Sequence, residues 1–179
     1  ILVLHPSVPA NNLKELIALA KAKPGQLNFA SSGHGTNTHL SGELFKIETG
    51  VNITHIPYKG SGPATQDLLG GRVQMSFQIR ITVIPMINNG KLRPIAITGD
   101  DRLGALPNVP TFAEAGYPDF KPHQWTGLFV PAGTPPAVVN RITAEFTKAV
   151  RSPDVLASLD KLNAEPVMST QAEFAAHLK

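Results

Sequence analysis

Short apolar runs alternate along the chain with longer stretches whose apolar residues recur every three or four positions. Ile1, Leu2, Val3 and Leu4 form a run closed by Pro6 and Pro9, which predicts a strand at 1–4. Leu13, Leu16, Ile17 and Ala20 share one helical face, Asn11 or Asn12 can cap that helix, and Pro24-Gly25 stops it. Residues 27–30 read as a second strand, and 31–38 as a glycine-rich turn. A helix follows that should bury Leu40, Leu44, Phe45 and Ile47 and end at Gly50. Residues 51–56 predict a strand closed by Pro57, and Ser61 and Pro63 open a helix with Leu68 and Leu69 inward. Val73, Met75 and Phe77 alternate as a strand, 82–87 reads as a short helix, and 92–98 as another strand.

Beyond residue 99 the pattern loosens as Gly and Pro accumulate up to 121. Thr111 can cap a short helix at 112–115 that Gly116 stops. Residues 125–130 predict an apolar strand. Pro135-Pro136 begins a long helix whose Val138, Val139, Ile142, Phe146 and Val150 should face inward. Pro153 starts a helix running to about Leu162, residues 166–168 read as a short strand, and Thr170 caps a last helix reaching Lys179. Such alternation argues for one α/β domain with a parallel or mixed sheet covered on both faces, with residues left over for part of another.

Composition narrows the function. The 179 residues are 42% hydrophobic and 16% charged, so the chain folds around a real core. The net charge of +3 is spread over scattered Lys and Arg with no basic stripe, which argues against nucleic acid. With no cysteine, disulfide scaffolds, zinc ribbons and thiol catalysis are excluded. No apolar run approaches the ~20 residues of a membrane span. The opening residues read as strand rather than signal peptide, so the sequence is expected to start inside a fold with a segment upstream.

The turn at 31–38, Ser-Ser-Gly-His-Gly-Thr-Asn-Thr, carries the chemistry. It follows a strand and opens a helix, the place where ligands bind in open α/β sheets. Gly33 and Gly35 allow a tight bend and a close approach of backbone to ligand. Unpaired amides leaving that bend, at the positive end of the helix dipole, would converge on an anion without a cationic side chain. Ser31, Ser32, Thr36, Asn37 and Thr38 add hydroxyl and amide partners. A capped turn that binds nothing remains open on local sequence alone. A dinucleotide fingerprint fails: a third glycine is missing after Gly33-His34-Gly35, and Thr54-His55-Ile56 supplies no acid. Gly60-Ser61-Gly62 is no nucleophile elbow. His34, His39 and His55 have no recognised metal-ligand spacing, and His39 is read as bonding locally at its helix start. Neither a cofactor nor a resident metal is expected.

Taken in order, Phe29-Ala30-Ser31-Ser32-Gly33-His34-Gly35-Thr36, Thr38-His39-Leu40, Glu43-Leu44-Phe45 and His55-Ile56-Pro57-Tyr58-Lys59-Gly60 closely resemble the Bug, or TctC-like, solute receptors. So do Asp67-Leu68-Leu69-Gly70-Gly71, residues 106–111 (Leu-Pro-Asn-Val-Pro-Thr), Glu114-Ala115-Gly116, Trp125-Thr126-Gly127-Leu128 and residues 131–135 (Pro-Ala-Gly-Thr-Pro). The resemblance implies a periplasmic binding protein of tripartite tricarboxylate transporters: a three-layer α/β lobe of the type II binding-protein kind, its sheet mixed but mainly parallel, plus a partial second lobe. Residues 5–122 would be the second, ligand-binding lobe, and 1–4 with 123–179 the hinge strands and an incomplete first-lobe segment. It implies capture of a small organic acid or amide for membrane permease subunits, with no catalysis, and a site on Ser31, Ser32, Gly33, Gly35, Thr36, Asn37, Thr38, Tyr58, Gln78 and Trp125. Lys59 flanks the cleft or is a surface charge, and Trp125 lines cleft or hinge or simply packs.

One departure stands out, since the family usually carries Asp after the fourth strand and this chain has Gln78. A neutral amide there favours uncharged or purely carboxylate solutes over amino acids, and Arg80 would reinforce an anion if it points inward. The chain by itself is expected to bind ligand weakly, and an exposed half-lobe could drive dimerisation. An effector-binding domain of a regulator, or a small α/β enzyme acting on an anion, are the competing classes.

Overall fold

The computed structural model describes residues 1–122, 125–161 and 166–178. The chain divides into two compact units, Ile1–Trp125 and Thr126–Lys179. The first runs β1 (Leu2–Leu4), α1 (Leu13–Ala22), β2 (Asn28–Ser31), α2 (Asn37–Thr49), β3 (Thr54–Pro57), α3 (Ser61–Leu69), β4 (Met75–Phe77), α4 (Arg80–Asn88) and β5 (Arg93–Ala96).

The strands form one five-stranded sheet in the order β3-β2-β4-β1-β5. β2 pairs in parallel with β3 and β4, whereas β1 is antiparallel to both β4 and β5. Four strands therefore point one way, and β1 runs against them. β1 lies between β4 and β5 as an inner strand of this sheet. Pro94, which cannot donate to a ladder, lies on the edge strand β5 opposite Val3.

Strand alternation builds two cores. Leu2, Leu4, Phe29, Met75 and Phe77 face α1 and α2, where Leu13, Leu16, Ile17, Ala20 and Phe45 meet them. Val3, Ala30 and Ile97 face the other way, toward Ala64 and Leu68 of α3 and Val83 of α4. Helices on both faces of a mainly parallel sheet give the three-layer architecture. Asn12 caps α1 through Glu15 N, and Gly50 ends α2 in the left-handed region, as the sequence predicts.

Several local expectations are corrected. Leu40 and Ile47 are 55% and 76% exposed, because α2 turns Ser41, Gly42, Phe45 and Thr49 inward instead. Gly42 sets that rotation: the helix lies so close to Phe29 that any Cβ there would overlap the ring. Residues 112–115 form turns rather than a helix, since Thr111 bridges to Ile97 and Phe112 is drawn into the core. The bounds of β3 begin later than expected, with Val51 and Ile53 buried ahead of it.

The second unit holds α5 (Pro136–Val150), α6 (Pro153–Lys161) and α7 (Gln171–His177). Thr170 and Glu173 form a reciprocal capping box on α7. Residues 125–130 and 166–168 are irregular rather than strands. Without a partner strand, an apolar run has nothing to satisfy its ladder. No described residue of α5 is buried: Val138 is 46% and Phe146 54% exposed, although both were expected inward. The apolar stripe is real, but the described part of this unit offers no layer to cover it. The expected ends at Leu162 and Lys179 lie outside the described residues.

Candidate functional site

β2, β3 and β4 are adjacent and parallel, so their carboxyl ends open on one edge of the sheet. The bend at 31–38 leaves β2 there, Tyr58 follows β3, and Gln78 follows β4. The register fixes the alignment, with Ser31 opposite Pro57 and Ala30 opposite Ser76. Two backbone bonds lock neighbouring loops, Tyr58 N donating to Ser31 O and Gly60 N to Ser32 O, both at 3.0 Å. All but one of the expected site residues thus meet at a single edge. Trp125 lies in an irregular segment and is 47% exposed, rather than opening a strand.

Gly33 (φ 138°) and Gly35 (φ 72°) adopt backbone conformations that L residues avoid, which lets the bend close. Inside it, most amides have acceptors. Ser32 N donates to Thr38 Oγ1 (2.9 Å), Gly33 N to Ser31 Oγ (3.2 Å), Gly35 N to His39 Nδ1 (3.1 Å) and Thr36 N to Gly33 O (3.4 Å). This corrects the expectation that unpaired amides of the Gly33–Gly35 bend converge on a guest: those amides rigidify the loop.

The donor geometry moves one step along, to the first turn of α2. Thr36 is the N-cap residue, yet its hydroxyl turns back to donate to Gly33 O (2.7 Å) and makes no cap bond. Among the described residues no acceptor meets the Thr38 amide. Thr38 Oγ1 instead ties the loop together, lying 3.0 Å from both Ser32 Oγ and Thr36 Oγ1. The result is a half-buried helix start with its dipole exposed at the strand ends and its side chains held by one another.

Tyr58 was expected to flank a ligand. Its hydroxyl is already engaged, donating to Asp67 Oδ2 (2.8 Å), while Arg72 holds the other carboxylate oxygen (2.7 Å). Arg72 first, then Tyr58, keeps Asp67 below the usual carboxylate range, and burial with the Asp67 contact raises Tyr58. Lys59 is exposed. Gln78 is buried, 8% exposed, with Nε2 donating to Ser76 Oγ (3.1 Å), which in turn donates to Ala30 O (2.8 Å). Arg80 opens α4 just beyond.

His39 bonds locally at its helix start, as the sequence predicts, but its meeting with His34 and His55 is not legible in their spacing. His55 Nε2 lies 2.6 Å from Ser31 Oγ, and His55 is sandwiched between Phe29 (4.8 Å) and His39 (4.0 Å). Burial first, then the neighbouring His39 and His34, lowers the His55 pKa. Only the parallel pairing of β2 with β3 reveals this neighbourhood; spacing along one chain does not.

A mixed α/β domain with a glycine bend opening a helix at its parallel strand ends defines the class as an α/β small-molecule-binding domain. The chain belongs to the family described as Tripartite tricarboxylate transporter family receptor, which matches residues 1–178. It is 40% identical over 170 residues to protein BugT of Bordetella pertussis (strain Tohama I), covering 95% of this chain and 52% of BugT. An R. palustris protein solved with adipate superposes with a TM-score of 0.90 at 34% identity, over 99% of this chain and 59% of that one. MatC of Rhodopseudomonas palustris, solved with bound malate, superposes with a TM-score of 0.83 at 34% identity, over 90% of this chain and 55% of MatC. The chain spans about half the length of the curated relatives it matches.

Proposed function

We propose that the receptor carrying this sequence captures a small organic carboxylate and delivers it to the membrane permease subunits of a tripartite tricarboxylate transporter. The observation that carries the reading is the start of α2: an uncapped first turn with its Thr38 amide open, at the carboxyl ends of three parallel strands. A carboxylate satisfies such amides and gains from the dipole, without any side-chain cation. Relatives solved with adipate and malate support the ligand class.

In this reading, residues 5–122 are the ligand-binding lobe, and 1–4 with 123–179 contribute the hinge and part of the other lobe. Ser31, Ser32, Gly33, Gly35 and Thr36 shape the site, Asn37 and Thr38 face the guest, and Tyr58 borders it. Gln78, neutral and already bonded to Ser76, offers no charge to a ligand ammonium, so carboxylates without an amine are preferred. The protein performs no chemistry on its guest. Family membership supports a periplasmic location, and no described helix is long and apolar enough to cross a membrane.

Calorimetry of the receptor with adipate, malate and aspartate tests this. Saturable binding of the first two, weaker for aspartate, is expected. Absence of heat from every carboxylate at millimolar concentration would remove the reading.

A further inference from the structure

Three elements bring three imidazoles to one spot: His34 from the bend, His39 from the first turn of α2, and His55 from β3. Their ligand nitrogens all lie within 4.8 Å of one another. His34 is exposed, so the cluster is open to solvent.

Ring spacing shows how near this is to coordination. Imidazoles bonded to one ion at ~2.1 Å and a tetrahedral angle have centroids about 5.3 Å apart and nitrogens about 3.4 Å apart. The His34–His55 centroids are 5.2 Å apart and the His34–His39 centroids 5.5 Å, both edge to face. The third pair, His39 and His55, stacks at 4.0 Å and would have to open by about 1.3 Å.

We propose that His34, His39 and His55 form a binding site for a borderline divalent cation of the cobalt-to-zinc series. Three neutral imidazoles, with no thiolate available in a cysteine-free chain, select that class over hard cations. Outer partners are in place. With Ser31 Oγ accepting from His55 Nε2, the Nδ1 lone pair of His55 is left for the ion. Glu43 Oε1, 3.8 Å from His39 Nε2, supplies nearby negative charge, itself paired to Lys46 at 2.7 Å. Coordination has one internal cost. Neutral His39 has a single lone pair, now accepting from Gly35 N, so binding the ion breaks that bond and releases the Gly35 amide. Gly33 and Gly35 flank His34, so the loop that carries it can readjust once the Gly35 bond is broken. Three protein ligands leave a fourth position for water.

The inference does not rest on the carboxylate reading, although the cluster shares the bend and the start of α2, and the test contains no carboxylate, so the two fail separately. The receptor in metal-free buffer at neutral pH is titrated with cobalt(II) chloride and followed by visible absorption. One ion per chain is expected, with the intense bands of a four-coordinate site, displaced by one equivalent of zinc(II). H34A and H55A should each weaken zinc binding by roughly tenfold or more. H5A, whose ring pairs with Ser7 outside the cluster, should change nothing. Unchanged thermal melts of H34A, an exposed position, separate lost binding from lost folding. No saturation, or saturation that survives both H34A and H55A, overturns the proposal.

Discussion

Gly42 and Thr38 carry the tightest residue-scale constraints. At Gly42, helix propensity alone would favour Ala by about 1 kcal/mol. The added Cβ would overlap the Phe29 ring, which is fully buried between sheet and helix. Overpacking should win, and G42A should destabilise the first unit by about 1–3 kcal/mol in urea denaturation. A neutral or stabilised G42A would show that α2 is not seated as closely as described. Thr38 matters for a different reason. Its hydroxyl accepts from Ser32 N and contacts two further hydroxyls. T38V keeps the shape but strips Ser32 N of its acceptor, with an expected cost of about 1–3 kcal/mol and a loosened bend, read as faster amide exchange at 32–36. Unaltered exchange there would deny Thr38 its organising role.

Among the elements, the outer face of the sheet and the segment after β5 are fastened by carboxylates. Asp67 at the end of α3 holds Tyr58 and Arg72, and Glu114 holds Arg102 and the Thr111 amide. Arg102, then Thr111, lowers Glu114, as Arg72 and Tyr58 lower Asp67. Because both folded-state values are depressed, the unfolded chain takes up protons first as pH falls. Their stabilisation is complete above the unfolded value of ~4 and drains away as pH falls through the lower folded values. Thermal melts between pH 5 and pH 3 should therefore decline less steeply in D67N and E114Q than in the parent. Parallel slopes would contradict this.

Legibility also divides at the element scale. The bend at 31–38, the Asn12 cap, the Gly50 stop and the proline starts of α5 and α6 are local chemistry, and local sequence carries them. The buried face of α2 is not local. Leu40, Leu44 and Ile47 look like a core stripe, but the fit of Gly42 to Phe29 rotates Leu40 and Ile47 into solvent. Pairing partners are likewise unreadable along the chain. Hence β1 proves to be antiparallel between β4 and β5, and residues 125–130 carry an apolar strand pattern without being a strand.

For the whole molecule, sheet order turns scattered residues into a site. Placing β2 between β3 and β4 aligns the bend, the loop after β3 and Gln78 on one edge. It also gathers His34, His39 and His55, which have no telling spacing in the sequence. The same arrangement revises which amides are available. The bend amides donate to hydroxyl, imidazole and carbonyl acceptors within the loop and the start of α2, and among the described residues no acceptor meets the Thr38 amide in the first turn of α2. Backbone amide NMR of the receptor during titration with adipate or malate tests this directly. The Thr38 amide should shift farthest downfield and saturate with the ligand, while Gly33 and Gly35, keeping their internal acceptors, move little. Saturating binding that leaves Thr38 fixed would contradict the account.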